Sequence, residues 1–231
     1  MQEPRVIVAL DYDNKETALS FVAQLDPSLC KLKVGKEMFT LFGPEFVKTL
    51  VSKGFDVFLD LKFHDIPNTV AKACKAAAEL GVWMVNVHAC GGVPMMKAAK
   101  EAIASSSHPQ TKLIAVTVLT SMDQAQLSDV IDNVTPQQQV LRLCKLTQQA
   151  GLDGIVCSAQ EAQVLRQTYT DAFLLVTPGI RPKGADAGDQ KRVMTPDEAI
   201  DSGVSYLVMG RPITKADDPV AVLTSVNHSI A

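Results

Sequence analysis

Asp60-Leu61-Lys62-Phe63-His64-Asp65-Ile66 brings an ammonium group and two carboxylates together in one short stretch. Val57-Phe58-Leu59 before it reads as a strand interior, and Pro67-Asn68 after it as the start of a helix. Residues two apart on an extended strand share a face. Asp60 and Lys62 therefore project side by side, with Asp65 returning from the following turn. Nearby carboxylates favour the charged form of a lysine. A fixed ammonium suits stabilisation of negative charge that develops during a reaction, and delivery of a proton. It does not suit a Schiff base, which needs a lysine of lowered pKa. For an isolated Asp-x-Lys the plainer reading is a salt bridge capping a strand, since exposed pairs contribute little and buried ones are costly to desolvate.

The elements that must position this group are legible along the whole chain. Short apolar runs at 6–10, 30–34, 56–61, 84–88, 113–119, 154–157, 173–177 and 206–209 are rich in Val, Ile, Leu and Phe without polar alternation. That is the pattern of parallel strands covered on both faces. Between them the spacing is helical, as where Val70, Ala73, Cys74 and Ala77 form a stripe that Lys72 and Lys75 avoid. Ser158-Ala159-Gln160-Glu161 and Thr195-Pro196-Asp197-Glu198 fit the capping-box pattern, and Thr135-Pro136-Gln137-Gln138 offers a glutamine version. Eight strands each followed by a helix, with no linker-like change in composition, predict a single (β/α)8 TIM barrel over residues 1–231. A doubly wound open sheet is the alternative, and it lacks the Gly-x-Gly-x-x-Gly turn after the first strand.

Such barrels place their active sites at the carboxyl ends of the strands. The predicted ends carry Asp11, Lys33, then Asp60, Lys62 and Asp65, then Asn86 and His88, then Thr120-Ser121. The last two are Thr177-Pro178-Gly179-Ile180-Arg181 and Met209-Gly210-Arg211-Pro212. Paired glycine–arginine turns after strands seven and eight fit a phosphate site, where backbone N–H groups approach the anion closely and a guanidinium adds a planar fork. The other reading makes the glycines ordinary turns and the arginines solvated. The stretch 181–192, polar until Val193, reads as a lid beside that site, with Gln190 adding a donor on closure.

Composition narrows the function classes. A formal net charge of -3 gives no case for nucleic-acid binding. The absence of a long apolar run or a basic-then-apolar amino terminus predicts a cytoplasmic protein that does not enter a membrane. Cys30, Cys74, Cys90, Cys144 and Cys157 are scattered without a C-x-x-C pair, against both a disulfide framework and a zinc knuckle. His64 reads as packing or orienting its loop, and His88 as a donor behind the site.

Together, Asp11, Lys33, Asp60-x-Lys62-x-x-Asp65-Ile66-x-x-Thr69, Pro178-Gly179-Ile180-Arg181 and Gly210-Arg211-Pro212 resemble the orotidine 5'-phosphate decarboxylase family, in its shorter bacterial form without a fused transferase domain. The resemblance spans essentially the whole chain. It implies cofactor-independent decarboxylation of orotidine 5'-phosphate to uridine 5'-phosphate in pyrimidine biosynthesis, with no metal. It further implies that Asp11 binds ribose hydroxyls, Lys33 supports the ribose and the charge network, and Asp60 and Lys62 face the reacting carbon. Asp65 and Thr69 would reach into the neighbouring subunit's site across a homodimer interface. Thr120 and Ser121 would contact the pyrimidine, while Arg181, Gln190, Gly210 and Arg211 would hold the phosphate above Pro178.

Three rivals remain at this level. A magnesium-dependent sugar-phosphate lyase or decarboxylase of the same suprafamily shares Asp60, Lys62 and Asp65 but uses a glutamate on the second strand, where this chain has Lys33-Val34-Gly35. A Schiff-base aldolase would use Lys62 against the pull of its acids. A non-catalytic nucleotide-binding barrel would bind uridylate without turnover.

Overall fold

Strands buried on both faces need apolar side chains in both directions, and the computed structural model, which describes residues 3–183 and 193–231, shows this arrangement. The strands are β1 (Val6–Leu10), β2 (Lys31–Gly35), β3 (Val57–Phe63), β4 (Met84–His88), β5 (Lys112–Val116), β6 (Gly154–Val156), β7 (Leu174–Thr177) and β8 (Tyr206–Met209). All pair in parallel, and β8 returns to β1, so the sheet closes into a barrel in chain order. Closure excludes the open doubly wound sheet. In β1, Val6, Val8 and Leu10 belong to the core under the helices, while Ile7 and Ala9 pack inside the barrel with Phe58, Met84, Ile114, Val176 and Val208.

The outer layer contains α1 (Lys15–Val22), α2 (Lys36–Ser52), α3 (Pro67–Ala78), α4 (Gly92–Ala104), α5 (Gln124–Ser128), α6 (Pro136–Gln149), α7 (Ala159–Arg166), α8 (Pro196–Asp201), α9 (Arg211–Thr214) and α10 (Pro219–Ser229). The expected single helix after the fifth and eighth strands is in each case a pair, α5–α6 and α9–α10. Each predicted cap begins a helix. Thr135 and Gln138 form both halves of a capping box, and Glu161 and Glu198 reach back to the N–H groups of Ser158 and Thr195. Val70, Cys74 and Ala77 are buried as the α3 stripe requires.

Two strand ends differ from expectation by more than one residue. The apolar run at 113–119 leaves the sheet at Val116, because β6 is only three residues long and its last partner is Val156. Val118 and Leu119 line a cavity at the barrel mouth instead. The third strand continues past residue 61 to Phe63 with a break in register: Leu59 faces Val85, whereas Phe63 faces Val87. Four steps along β3 are thus matched by two along β4, and the surplus falls on Asp60, Leu61 and Lys62.

The floor of the barrel is closed by a paired charge. Lys31 is 1% exposed, with its ammonium 2.5 Å from Asp56, 2.9 Å from Glu3 and 4.3 Å from the centre of the Trp83 ring. A buried charge is tolerable only with such partners. Cys30, Cys74, Cys144 and Cys157 are buried and Cys90 is exposed. Burial pushes the Cys30 and Cys74 thiols up to about 12, which fits inert core fillers. Among the described residues no helix is long and apolar enough to cross a membrane.

Candidate active site

Alternation along β2 and β3 aims polar side chains inward at the carboxyl rim. Lys33 is level with Ala9 and Phe58, and Gly35 with Asp60. The Asp60 carboxylate, 13% exposed, gathers three donors. Its Oδ1 accepts from Lys62 Nζ at 2.6 Å and from Asn86 Nδ2 at 2.7 Å. Its Oδ2 faces Lys33 Nζ at 3.4 Å. Burial by itself raises the pKa of this carboxyl; the positive charges of Lys33 and Lys62 and the hydrogen bonds from Lys62 and Asn86 outweigh it and hold the group below its ordinary value. Asp60 is therefore ionised at neutral pH.

Lys62 occupies the left-handed region of backbone space, with φ 54°. For a residue with a Cβ this costs roughly 1–2 kcal/mol. Its backbone N–H donates to Asn86 Oδ1 at 2.7 Å.

Two cavities meet at this group. One, about 190 Å³, has apolar walls that include Phe58, Val118, Val176 and Val208, with Thr120 and Pro178 on its rim. The other, about 270 Å³, is bordered by Asp11, Lys36 and Glu37. Lys33, Asp60 and Lys62 line both. The arrangement accepts a flat apolar ring in one chamber and a hydroxylated group in the other, with the ammonium of Lys62 at their junction. A larger hollow of about 480 Å³ lies at the opposite end, among Glu3, Arg5, Arg166 and Ser205. Its guanidinium groups bind backbone carbonyls, Arg5 that of Ser205 at 3.1 Å and Arg166 that of Gly203 at 2.8 Å, so it is a tied-down floor.

The single chain brings some expected residues together and leaves others apart. Asp11, Lys33, Asp60, Lys62, Thr120 and Pro178 border the two cavities, whereas Ser121 is exposed and lines neither. Pro178 faces the apolar chamber. Asp65 is exposed and accepts from the N–H of Ile66 at 2.7 Å, not from Lys62. Thr69 and Ile66 are exposed beside it at the start of α3. Among the described residues of one chain, Lys62 thus has one carboxylate partner, Asp60.

On the phosphate side, Gly179 takes φ 80° in the turn after β7, a conformation open to glycine. Gly210 packs against β1: a Cβ there would lie 3.6 Å from the Ala9 side chain and 3.7 Å from Asp11 Oδ2. Arg211 is exposed at the head of α9. Arg181 is buried, and one arm of its guanidinium donates to the Ile180 carbonyl at 2.9 Å. Gln190 and most of the expected lid, residues 184–192, lie outside the described residues.

Asn86 is a rim residue to which strand-end position alone assigns no role. A lone amide in Met84-Val85-Asn86-Val87, 0% exposed, is the signal that marks it, since a buried polar group needs partners. His88 stacks obliquely on His64, with ring centres 5.6 Å apart. Burial pushes the His88 pKa below its ordinary value, and the positive charges of His64, Lys36 and Lys62 add to the effect, opposed by Asp60. Among the described residues, no three His, Cys, Asp or Glu side chains are grouped to hold a metal ion.

Comparison with known proteins agrees over the full length. Residues 4–226 match the model of the "Orotidine 5'-phosphate decarboxylase / HUMPS family". The chain is 65% identical over 231 residues to an orotidine 5'-phosphate decarboxylase of Pseudoalteromonas atlantica, covering 100% of both. It is 61% identical over 231 residues to one of Vibrio atlanticus, again covering 100% of both. The fold superposes on a crystal structure of orotidine 5'-phosphate decarboxylase from Lactobacillus acidophilus with a TM-score of 0.87 at 40% identity, over 99% of each chain. A barrel of eight parallel strands, an acid–lysine pair at its rim and matches of this extent agree on one assignment: the chain belongs to the orotidine 5'-phosphate decarboxylase / HUMPS family.

Proposed function

We propose that this protein decarboxylates orotidine 5'-phosphate to uridine 5'-phosphate, a step of pyrimidine nucleotide biosynthesis, without an electron-accepting cofactor. The observation that carries the reading is the placement of Lys62 Nζ, 2.6 Å from an ionised Asp60, where the apolar and polar chambers meet. The pyrimidine fits the apolar chamber beside Thr120, and the ribose fits the polar one beside Asp11 and Lys33. The bond from ring carbon 6 to the carboxylate breaks, carbon dioxide leaves, and the electron pair stays on carbon 6. Lys62 stabilises that charge and gives its proton to the same carbon; solvent then reprotonates the amine.

Asp60 would also face the substrate carboxylate. Two unit charges about 4 Å apart repel by roughly 4 kcal/mol at an effective dielectric near 20. The two ammonium groups on Asp60 offset much of that repulsion, so stabilisation of the developing carbanion carries more of the rate than ground-state strain. The same contacts weigh against the magnesium-dependent rival, because both oxygens of Asp60 already face cations.

Phosphate binding falls to Gly210 and Arg211, with Arg181 and Gln190 as further donors. Binding energy from the phosphate, remote from the reacting bond, can offset the cost of burying charge at the reacting carbon. The exposed row of Asp65, Ile66 and Thr69 suits a homodimer in which each subunit lends Asp65 and Thr69 to its partner's site. A cytoplasmic location fits such an enzyme.

The test follows orotidylate by ultraviolet absorbance in a chelator-containing buffer, with the product identified as uridylate. Turnover there supports the assignment. A strict need for magnesium would favour the sugar-phosphate rival, and uridylate binding without turnover the non-catalytic barrel.

A further inference from the structure

We infer that Asn86 is a positioning residue that sets the catalytic geometry of Lys62 and Asp60 by bridging the irregular end of β3 to β4. The inference rests on the decarboxylase reading above. Between Leu59 and Phe63 the β3–β4 ladder loses its register, and Asn86 is the β4 residue between the two flanking partners, Val85 and Val87. The backbone of Lys62 therefore lacks a regular ladder partner on that side, and the Asn86 side chain supplies one: Oδ1 accepts the Lys62 N–H at 2.7 Å. The other half of the amide donates from Nδ2 to Asp60 Oδ1 at 2.7 Å.

These partners fix the orientation of the amide, because a backbone N–H only donates and an ionised carboxylate only accepts. They also explain the residue type. A side chain of this length must offer one acceptor and one donor in a planar fork. Aspartate would set a second negative charge against Asp60, leucine would leave the Lys62 N–H unpaired and remove one donor from Asp60, and serine is too short to span them. Lys62 is held with φ 54° next to this contact, and left-handed backbone in a residue with a Cβ persists only where its surroundings enforce it. Asn86 is 0% exposed and lines neither cavity, so it acts through Lys62 and Asp60 and not on the nucleotide.

A residue that only fills the barrel would, when altered, lower stability and nucleotide affinity together. A positioning residue splits them. The experiment compares wild type, Asn86→Ala and Asn86→Asp for kcat on orotidylate, for Kd of uridylate, and for folding by circular dichroism. Wild-type turnover tests the functional reading on its own, so its failure is distinct from failure of the inference. With an active wild type, both variants are expected to lose about 30-fold or more in kcat while uridylate affinity changes less than about threefold, since misplacement of a catalytic group by about 1 Å can cost on the order of 100-fold. Should Asn86→Ala fail to fold, the near-isosteric Asn86→Asp decides. Wild-type kcat in a folded variant, parallel losses of kcat and affinity, or failure of both variants to fold would each overturn the assignment.

Discussion

Lys62 Nζ lies 2.6 Å from Asp60 Oδ1, although the backbone between them is not that of a regular strand. Simple alternation puts residues two apart on one face, but here Lys62 has left the extended region and the register against β4 has slipped. The pair is kept by contacts from outside β3: Lys33 approaches Asp60 from β2, and Asn86 holds both residues from β4. The ammonium at the cavity junction is thus held by three neighbouring strands, which suits a group that must not move as charge develops.

Removal of that ammonium should abolish the reaction without unfolding the protein. Lys62→Ala is expected to lower kcat by more than about 10⁴-fold, because it deletes both a charge-stabilising group and a proton donor. Uridylate binding by calorimetry should persist. Substantial remaining decarboxylation would take Lys62 out of the mechanism.

Arg211 should act through the phosphate. Loss of a charge-assisted contact of about 1.5–3 kcal/mol weakens an interaction roughly 10- to 150-fold. Arg211→Ala is therefore expected to lower kcat/KM for orotidine 5'-phosphate by that factor and leave turnover of phosphate-free orotidine almost unchanged. Equal losses on both substrates would assign Arg211 elsewhere.

Asp65 is exposed and turned to its own backbone, so its proposed role depends on a second subunit. Asp60→Ala and Asp65→Ala proteins are each expected to be nearly inactive. After subunit exchange, half the dimers are hybrids with one intact site apiece, and activity should return to about a quarter of wild type. No recovery despite exchange shown by labelled subunits would argue that each chain works alone.

His88 gives the stability curve an acid-side slope. Its pKa in the folded protein is below the ordinary 6.5, chiefly through burial. Between those two values the unfolded chain binds more protons than the folded one, so stability falls as pH drops below about 6.5 and the loss is complete below the folded value. Urea denaturation at successive pH values from 7 to 5 should show wild type losing ground relative to His88→Asn as the pH falls. Parallel curves would mean that His88 titrates alike in both states.

Much of the architecture follows from local pattern. Val6–Leu10, Met84–His88 and Tyr206–Met209 are strands over the bounds their apolar runs suggest, because side chains buried on both faces leave a near-continuous apolar signal. Thr135, Ser158 and Thr195 mark helix starts because capping is settled within four residues. The order of acids, lysines and glycine–arginine turns at successive strand ends, and hence the family, is likewise carried by the chain itself.

Relations between strands are a different kind of information. That Lys33 meets Asp60, that Asn86 spans Lys62 and Asp60, that Asp65 turns away from Lys62 and that Val118 leaves the sheet to line a cavity all depend on the register of one strand against the next. Register is decided when the barrel closes and every buried polar group must find a partner at once. Residue types and spacing named the participants in this site, and tertiary packing chose which of them touch.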